Sequence, residues 1–243
     1  MRPGDTLLVH ASLRRVGSGP GAVLAALLDV LGPEGTVVVP AFTAGNSDTS
    51  PDYRDRTRGM THRQRVLHRA SMPPFERDRT PSERMGRFAE VVRCAQGAVR
   101  SAHPQTSFAA LGARSGELMA CHDEECHLGE RSPLARLERA GAHVLLLGVG
   151  YEVCTAFHLG EYRLPDPPRR LYRCVVLRDG ARTWISYEDV ALDDRDFGSL
   201  GSEFEAGGTA AVARGRFGDA QAVLFPLARA VEFAVSWLAE NRQ

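Results

Sequence analysis

The sequence predicts an α/β fold in which helices flank a mixed β-sheet. Three observations carry this prediction: short aliphatic runs alternate with segments of helical periodicity, one continuous apolar run is typical of a strand covered on both faces, and an Asp-Gly step joins two β-rich runs. No linker, internal repeat or low-complexity tract divides the 243 residues. We therefore expect a single domain that spans residues 1–243.

The first elements form a strand, helix, strand unit. Residues 6–10 and 36–40 are aliphatic and β-branched runs bounded by turn residues, and residues 22–31 between them form an apolar helix closed by Gly32-Pro33. From residue 44 to residue 81 the periodicity disappears, and Arg, Asp, Thr and Pro dominate. We predict a long loop or lid over residues 44–81.

Regular elements return after this segment. Helical spacing, a Ser-Pro helix start, an apolar run, the Asp-Gly hairpin and a final amphipathic stretch follow one another along the chain. They predict helices over residues 84–95, 134–140 and 227–240, and strands over residues 144–149, 172–177 and 183–187.

Charge and hydropathy exclude several classes of protein. The 30 basic and 30 acidic residues cancel, so we expect no nucleic-acid or membrane partner. No apolar run approaches the roughly 18 residues of a membrane span, and the first residues lack the features of a signal peptide, so we expect a cytoplasmic protein. All 30 basic residues are arginine, which excludes lysine from any catalytic role.

Five cysteines scattered through the chain do not suggest a disulfide framework. Cys121-His122 and Cys126-His127 offer ligand types that zinc prefers, but structural zinc sites use two well-separated pairs with closer spacing within each pair. We expect no metal. A metal site for structure or hydrolysis stays as an alternative.

One histidine follows the buried strand directly. His158 lies in the segment 155–161, and ligands in α/β sheets are commonly held at strand ends, so this imidazole is a candidate general base. A satisfied core histidine is the alternative. A second polar segment, residues 100–108, is either a binding region or a helix N-terminus satisfied by Ser and Thr side chains.

These segments together resemble the aminoglycoside 3-N-acetyltransferase family, and the resemblance covers nearly the whole chain. Each string is short, but their ordered co-occurrence is specific. The strings are residues 9–14 with Val16-Gly17, Leu31-Gly32, Gly35-Thr36 and Pro40, Arg100-Ser101, His103-Pro104 and residues 107–112, Gly129-Glu130 and residues 132–134, residues 145–149, Thr155 with His158 and Glu161, and Phe204-Glu205 followed by residues 215–237.

The resemblance implies an acetyl-coenzyme A-dependent transferase that acts on the 3-amino group of aminoglycoside antibiotics, with a fold unlike that of the commoner small acetyltransferases. The family's catalytic histidine matches His158, and Glu205 is the best match for the carboxylate that orients it. Only a neutral amine attacks a thioester, so a base that works near pH 7 is needed. Glu161, three residues after His158, is the second candidate carboxylate. Direct transfer leaves Cys154 as a packing residue.

The resemblance also implies where the coenzyme binds. The loop after the first strand offers backbone N–H groups, a glycine for close approach, and Arg14 or Arg15 for phosphate; its predicted contacts are Ser12, Leu13, Arg14, Val16 and Gly17. Further along the chain, Ser107 and Phe108 line the coenzyme arm in the family, and His103 lies nearby.

One segment conflicts with a polycationic substrate. Residues 50–80 contain eight arginines against four acids, which would repel an aminoglycoside if they faced the pocket. The alternative function is therefore an acyltransferase of the same fold that acts on a different, less cationic or phosphate-bearing amine. We expect a small-molecule amine as the partner, and a homodimer is one expected assembly.

Overall fold

Two parallel strand pairs form the centre of a mixed sheet. A computed structural model of the chain describes residues 1–207 and 212–242, apart from the side chain of Arg15. The strands are β1 Thr6–Ala11, β2 Thr36–Pro40, β3 Val99–Arg100, β4 Phe108–Gly112, β5 His143–Leu147, β6 Arg169–Arg178, β7 Ala181–Val190, β8 Ala213–Phe217 and β9 Ala220–Pro226.

Seven of these strands form one sheet in the order β3-β4-β2-β1-β5-β9-β8. Strand β1 pairs in parallel with β2 and with β5, whereas β4 and β9 run antiparallel to their neighbours. Strands β6 and β7 form a separate two-stranded sheet. The predicted α/β fold with a mixed sheet is confirmed.

Helices cover both faces of the seven-stranded sheet, and short helices extend the loops. Their bounds are α1 Pro20–Leu31, α2 Pro51–Arg56, α3 His62–Ser71, α4 Gly86–Cys94, α5 Ser115–Met119, α6 Pro133–Arg139, α7 Phe157–Tyr162, α8 Phe197–Ala206 and α9 Leu227–Asn241, with 3-10 turns at Leu13–Arg15 and Tyr151–Val153. Among the helices described, none combines the length and the apolarity needed to cross a membrane.

Alternation along β1 divides the core into two layers. Leu7 and Val9 pack with α1 and α4 on one face, and Leu8 packs with α5 to α9 on the other. A strand with partners on both faces is apolar throughout, which is why β1 and β5 carry continuous aliphatic runs. Burial of these side chains from water is the main force that holds the layers together.

The prediction of a loop over residues 44–81 is wrong in detail, because the segment contains α2 and α3. Each helix is set by its N-cap: Ser50 accepts a hydrogen bond from the Tyr53 N–H, and Thr61 forms a capping box with Gln64. Helix α3 has no buried residue, so it shows no apolar periodicity in the sequence.

The same segment packs along the hairpin of β6 and β7. Backbone bonds join Phe75 N–H to the Val175 carbonyl at 3.1 Å and Val175 N–H to the Asn46 carbonyl at 2.8 Å. The hairpin turn itself is as predicted, with Asp179 and Gly180 both at positive φ, 50° and 77°. The hairpin therefore connects to the rest of the molecule partly through residues 44–81.

Candidate active site

A groove lies at the carboxyl ends of the central strands β1, β2 and β5. A cavity of about 760 Å³ opens there, at the edge where open α/β sheets commonly hold ligands. Its walls include His10, Ser12, Leu13 and Arg14 after β1, Phe42 after β2, Arg84 to Ala89 at the start of α4, Val149 after β5, and Thr155, His158, Asp194 and Phe197.

His158 is carried by the short helix α7, which packs closely on α9. A Cβ atom at Gly160 would lie 2.9 Å from the Cβ of Ala234, so only glycine lets the two helices approach to this distance. Phe157, Leu159 and Glu161 on the same helix are buried. His158, which is only partly buried, lies against Phe197 at a ring-centroid distance of 4.7 Å and lines the cavity.

The carboxylate partner of His158 in the structure is Glu161. His158 Nδ1 lies 2.6 Å from Glu161 Oε2, and the Glu161 side chain is 3% exposed. The other oxygen, Oε1, accepts from the Asp193 N–H at 3.0 Å and pairs with Arg242. A buried carboxylate needs such partners, and Arg242 supplies the compensating charge.

Glu205, our first choice for this partner, lies elsewhere. Its carboxylate accepts from the Tyr151 hydroxyl at 3.3 Å and pairs with Arg214, which lowers the pKa of Glu205. Helix geometry explains why His158 contacts Glu161 and not Glu205. Positions three apart on a helical turn face the same side, so His158 meets Glu161, whereas Glu205 is carried by α8 and turns toward β8.

His10 is a cavity residue that the sequence analysis missed. It lies at the carboxyl end of β1, is 8% exposed, and lines the same cavity as His158. Burial and the neighbouring His158 lower the pKa of His10 to about 3, so the imidazole is neutral at neutral pH. Arg242 was missed as well, because nothing in the sequence links the end of α9 to residue 161.

The predicted coenzyme loop divides into two parts. Ser12, Leu13 and Arg14 line the cavity, whereas Val16 is buried and Gly17, at φ 72°, is exposed beside it. Neither Val16 nor Gly17 is among the described residues that line the cavity. The side chain of Arg15 lies outside the described part of the chain.

A second cavity of about 880 Å³ adjoins the first on the other side of this loop. The two share Ser12, Arg14, Val149 and Glu152, and the second adds Arg214 and Arg216 from β8. Its floor depends on a close backbone approach, because a Cβ atom at Gly148 would lie 2.5 Å from the Ser12 carbonyl oxygen. The two cavities thus form one groove around the loop after β1.

His103, Ser107 and Phe108 were expected to contact the coenzyme, but all three are fully buried and lie behind the groove as the described residues outline it. The Ser107 hydroxyl donates to the Ala41 carbonyl at 2.8 Å, which fixes the loop after β2. Phe108 packs edge to face on Phe42 at 5.6 Å, and Phe42 lines the cavity. Any effect of these residues on a ligand is therefore indirect.

His103 instead belongs to a buried cluster with His122 and His127, at ring-centroid distances of 4.7 and 4.6 Å. The N–H at His122 Nε2 donates to the carbonyls of Cys126 and His127. Within the described chain, no group of three or more metal-ligating side chains, this cluster included, is arranged so that it could hold a metal ion. The two histidines next to Cys121 and Cys126 thus serve internal hydrogen bonds.

Cys154, next to the histidine motif, is fully buried. Burial raises the pKa of its thiol to about 12, which leaves almost no thiolate at neutral pH. This agrees with a packing role.

Comparison with known proteins decides the family. Residues 8–239 match the family described as aminoglycoside 3-N-acetyltransferase. The chain belongs to this family. Aminoglycoside N(3)-acetyltransferase VII of Streptomyces paromomycinus is 35% identical over 98% of this chain and 86% of its own. The prophage-derived aminoglycoside N(3')-acetyltransferase-like protein YokD of Bacillus subtilis is 34% identical over 99% of this chain and 88% of its own.

Solved structures agree with this assignment to the acetyltransferase family. The crystal structure of YokD superposes with a TM-score of 0.90 over 99% of this chain and 94% of that chain. A structure described as AAC-IIIb with CoASH is 30% identical, with a TM-score of 0.82 over 98% of this chain and 91% of that one. A third, AAC-VIa bound to sisomicin, is 28% identical, with a TM-score of 0.81 over 98% and 92% of the two chains.

The arginine-rich segment of this acetyltransferase does not line the groove, as far as the described residues define it. Several of its guanidinium groups pair locally, for example Arg58 with Asp55 at 2.8 Å and Arg69 with Asp48 at 2.7 Å. The positive groups on the cavity wall come from other positions, Arg14, Arg84 and Arg87, and face two acids, Glu152 and Asp194.

Proposed function

We propose that this enzyme transfers an acetyl group from acetyl-coenzyme A to the 3-amino group of an aminoglycoside, with His158 as the general base. The observation that carries the proposal is the pair of His158 and Glu161 at the cavity wall, 2.6 Å apart. Among the described residues, none hydrogen-bonds the second ring nitrogen, His158 Nε2. That nitrogen is therefore available to a ligand.

In the proposed reaction the amine nitrogen attacks the thioester carbon, and His158 Nε2 takes the proton that the nitrogen loses. The negative Glu161 stabilises the imidazolium that forms and holds Nδ1 protonated, so that Nε2 is the basic atom. When the carbon–sulfur bond breaks, the imidazolium returns the proton to the leaving thiolate. No covalent enzyme intermediate is required.

We place the coenzyme phosphates in the second cavity, where three arginines lie beside two acids, Glu152 and Asp219. Arg14, Arg214 and Arg216 line it, and guanidinium groups bind phosphate through paired hydrogen bonds. The shared wall at Ser12 would then lead the pantetheine arm toward His158. The relative with bound CoASH supports a coenzyme of this kind.

The acceptor occupies the first cavity in this proposal, and sisomicin bound to a relative supports an aminoglycoside there. One observation favours the second candidate function, an acyltransferase for a less cationic amine. Three arginines and two acids line this cavity, whereas a polycationic drug is better matched by an acidic wall.

Release of free thiol from acetyl-coenzyme A separates these candidates when it is measured across a panel of aminoglycosides and a panel of simple or phosphorylated amines. We expect the highest kcat/KM with an aminoglycoside and a product acetylated at the 3-amino group, identified by mass spectrometry and NMR. Turnover confined to the other amines would support the second candidate. No thiol release with any amine would contradict both.

Mutations provide the matched control for the coenzyme site. Arg14→Gln should raise the KM for acetyl-coenzyme A by about tenfold, as expected for one lost charge-assisted bond of about 1.4 kcal/mol or more. Replacing Arg54, Arg56 and Arg58 with glutamine should leave both Michaelis constants within about twofold, because exposed ion pairs contribute little. An equal effect of both changes would contradict the proposed phosphate position.

A further inference from the structure

A second histidine shares the cavity with His158. His10 ends the buried part of β1, is more than nine-tenths buried, and lines the cavity wall. Within the described chain, no hydrogen bond involves its imidazole: Nε2 is buried without a partner, and Nδ1, also without one, is the ring nitrogen that keeps accessible surface. Buried polar nitrogens are normally hydrogen-bonded, so an imidazole that keeps an unused N–H beside a ligand cavity requires an explanation.

The buried His122 shows what a structural histidine looks like in this fold. Its Nδ1 lies 3.0 Å from the Ser101 hydroxyl, and its Nε2 lies 2.9 Å from the His127 carbonyl. Both ring nitrogens are used. His103 also has a buried Nε2 without a partner, but that residue lies behind the groove and lines neither of its two cavities. His10 differs because it combines an unused N–H with a position on the cavity wall.

The charge state of His10 limits what it can do. Its pKa is lowered to about 3 by burial and by the neighbouring His158, so at neutral pH it neither donates nor removes a proton in a full transfer. A neutral imidazole still has one N–H donor. A fixed, uncharged donor in a buried site stabilises developing negative charge without raising the acidity of a neighbouring base.

We propose that the imidazole N–H of His10 hydrogen-bonds the carbonyl oxygen of the acyl thioester and stabilises the oxyanion of the tetrahedral intermediate. This inference rests on the proposed function. The amine lone pair forms the new C–N bond while the carbonyl π electrons move to oxygen, and His10 donates to that oxygen without losing its proton. The C=O bond re-forms as the C–S bond breaks, and the thiolate leaves.

Lysine cannot supply such a donor in this chain, because all 30 basic residues are arginine. The arginines of the cavity wall are less suited to this position. Arg84 is held by the buried Asp52 at 2.7 Å, Arg87 is exposed at the start of α4, and Arg14 is exposed on the loop that leads to the second cavity. His10 lies on β1, a rigid strand of the sheet centre, and a donor there is already oriented before the substrates bind.

Steady-state kinetics of His10→Phe and His10→Gln test the proposal, with acetyl-coenzyme A and the best amine of the panel. Loss of one oxyanion donor typically lowers kcat by about 10² to 10³, and we expect this for His10→Phe, with KM for acetyl-coenzyme A changed less than threefold. His10→Gln retains an N–H donor and should recover at least about tenfold of the loss. The shape of the pH–rate profile should stay that of the wild type in both variants.

A matched control is His143→Phe, because His143 begins β5 and lies at the opposite edge of the sheet. It should leave kcat unchanged, and thermal unfolding of all variants should show that they are folded. A kcat for His10→Phe within threefold of wild type would overturn the proposal. So would a displaced pH–rate profile, which would mean that His10 acts through His158.

These failures are distinct from failure of the proposed function. If the wild type transfers acetyl groups and His158→Asn abolishes transfer while His10→Phe does not, only the role of His10 is wrong. If His158→Asn retains full activity, the proposed general base is wrong whatever His10 does.

Discussion

Two histidine–carboxylate pairs of this molecule have nearly the same geometry and opposite surroundings. His158 Nδ1 lies 2.6 Å from Glu161 at the cavity wall, and His127 Nδ1 lies 2.9 Å from Asp189 beneath the β6–β7 hairpin. The first imidazole is 11% exposed and the second is 2% exposed. The two pairs differ in what surrounds the second ring nitrogen, Nε2.

The far side of His127 is closed by protein. Its Nε2 lies 3.4 Å from the Tyr187 hydroxyl, and the Tyr172 ring packs on it at 4.1 Å. Burial lowers the pKa of His127 despite its carboxylate partner. A histidine–carboxylate pair is therefore a catalytic candidate only where the second nitrogen reaches a ligand. The partnership alone does not identify a base.

The largest expected effect separates the two histidines. His158→Asn should lower kcat by about 10² to 10⁴, because the general base is lost, while the affinity for coenzyme stays nearly intact. His127→Asn should instead lower the free energy of unfolding and leave kcat of the folded fraction within a few fold. Kinetics combined with denaturant unfolding measures both quantities. Equal loss of kcat in the two variants would remove the distinction.

Acid should destabilise the buried cluster. The pKa of His122 falls from the ordinary 6.5 to about 3, because burial favours the neutral ring, and burial lowers the pKa of His103 and His127 in the same direction. The unfolded chain then binds more protons than the folded chain between these values. The stability is fully present above pH 6.5 and is lost as the pH falls toward 3.

His122 should contribute about 3 kcal/mol to the loss between pH 7 and pH 4.5, at 1.36 kcal/mol per pH unit below 6.5. His122→Gln should therefore reduce the difference in unfolding free energy between the two pH values by that amount. The exposed His62→Gln on α3 is the control and should change nothing. An unchanged slope for His122→Gln would show that the cluster does not resist protonation.

The same contrast explains how far the sequence predicted the fold. The central strands and α1, α6 and α9 carry aliphatic or amphipathic patterns, and these patterns were sufficient to find them. Helices α2 and α3 bury little, so periodicity fails there. Their caps at Ser50-Pro51 and Thr61 with Gln64 were nevertheless readable. Strand β8 is also largely exposed and leaves little pattern.

For the candidate site, local spacing was more reliable than an assignment across the chain. His158 and Glu161 are three residues apart, and their contact follows from one helical turn. The pairing of His158 with Glu205 required the arrangement of α7 and α8, which no local pattern determines. His10 and Arg242 reach the site from the two ends of the chain, through the central position of β1 and the packing of α9 on α7.

The two carboxylate partners should differ as the two histidines do, one in its effect on kcat and the other in its effect on stability, but by smaller amounts. Glu161→Gln retains the shape but removes the negative charge, so kcat should fall by about 10 to 10², and the low-pH limb of the rate profile should move to lower pH. Asp189→Asn should leave the pH–rate profile unchanged and lower stability by about 1 to 3 kcal/mol, because buried bonds from His127 and Tyr162 are weakened. Glu205→Gln serves as a control and should retain the wild-type profile.

The smallest effects are expected for the two residues that bind the carboxylates in addition to the histidines. Arg242 pairs with Glu161, and the Tyr162 hydroxyl donates to Asp189. Arg242→Met keeps the packing of the alkyl chain and removes the charge, so Glu161 loses its compensation and orients His158 less firmly. We expect kcat to fall about three- to tenfold with KM unchanged.

Tyr162→Phe removes the hydroxyl that donates to Asp189 and accepts from the Leu128 N–H at 3.3 Å, and it should cost about 1 to 2 kcal/mol of stability with kcat unchanged. The control for Arg242 is Arg229→Met, because Arg229 lies on the same helix and pairs only with the exposed Glu232 among the described residues. If Arg242→Met changes stability but not kcat, Arg242 anchors α9 without supporting His158. The series of contacts that supports His158 would then end at Glu161.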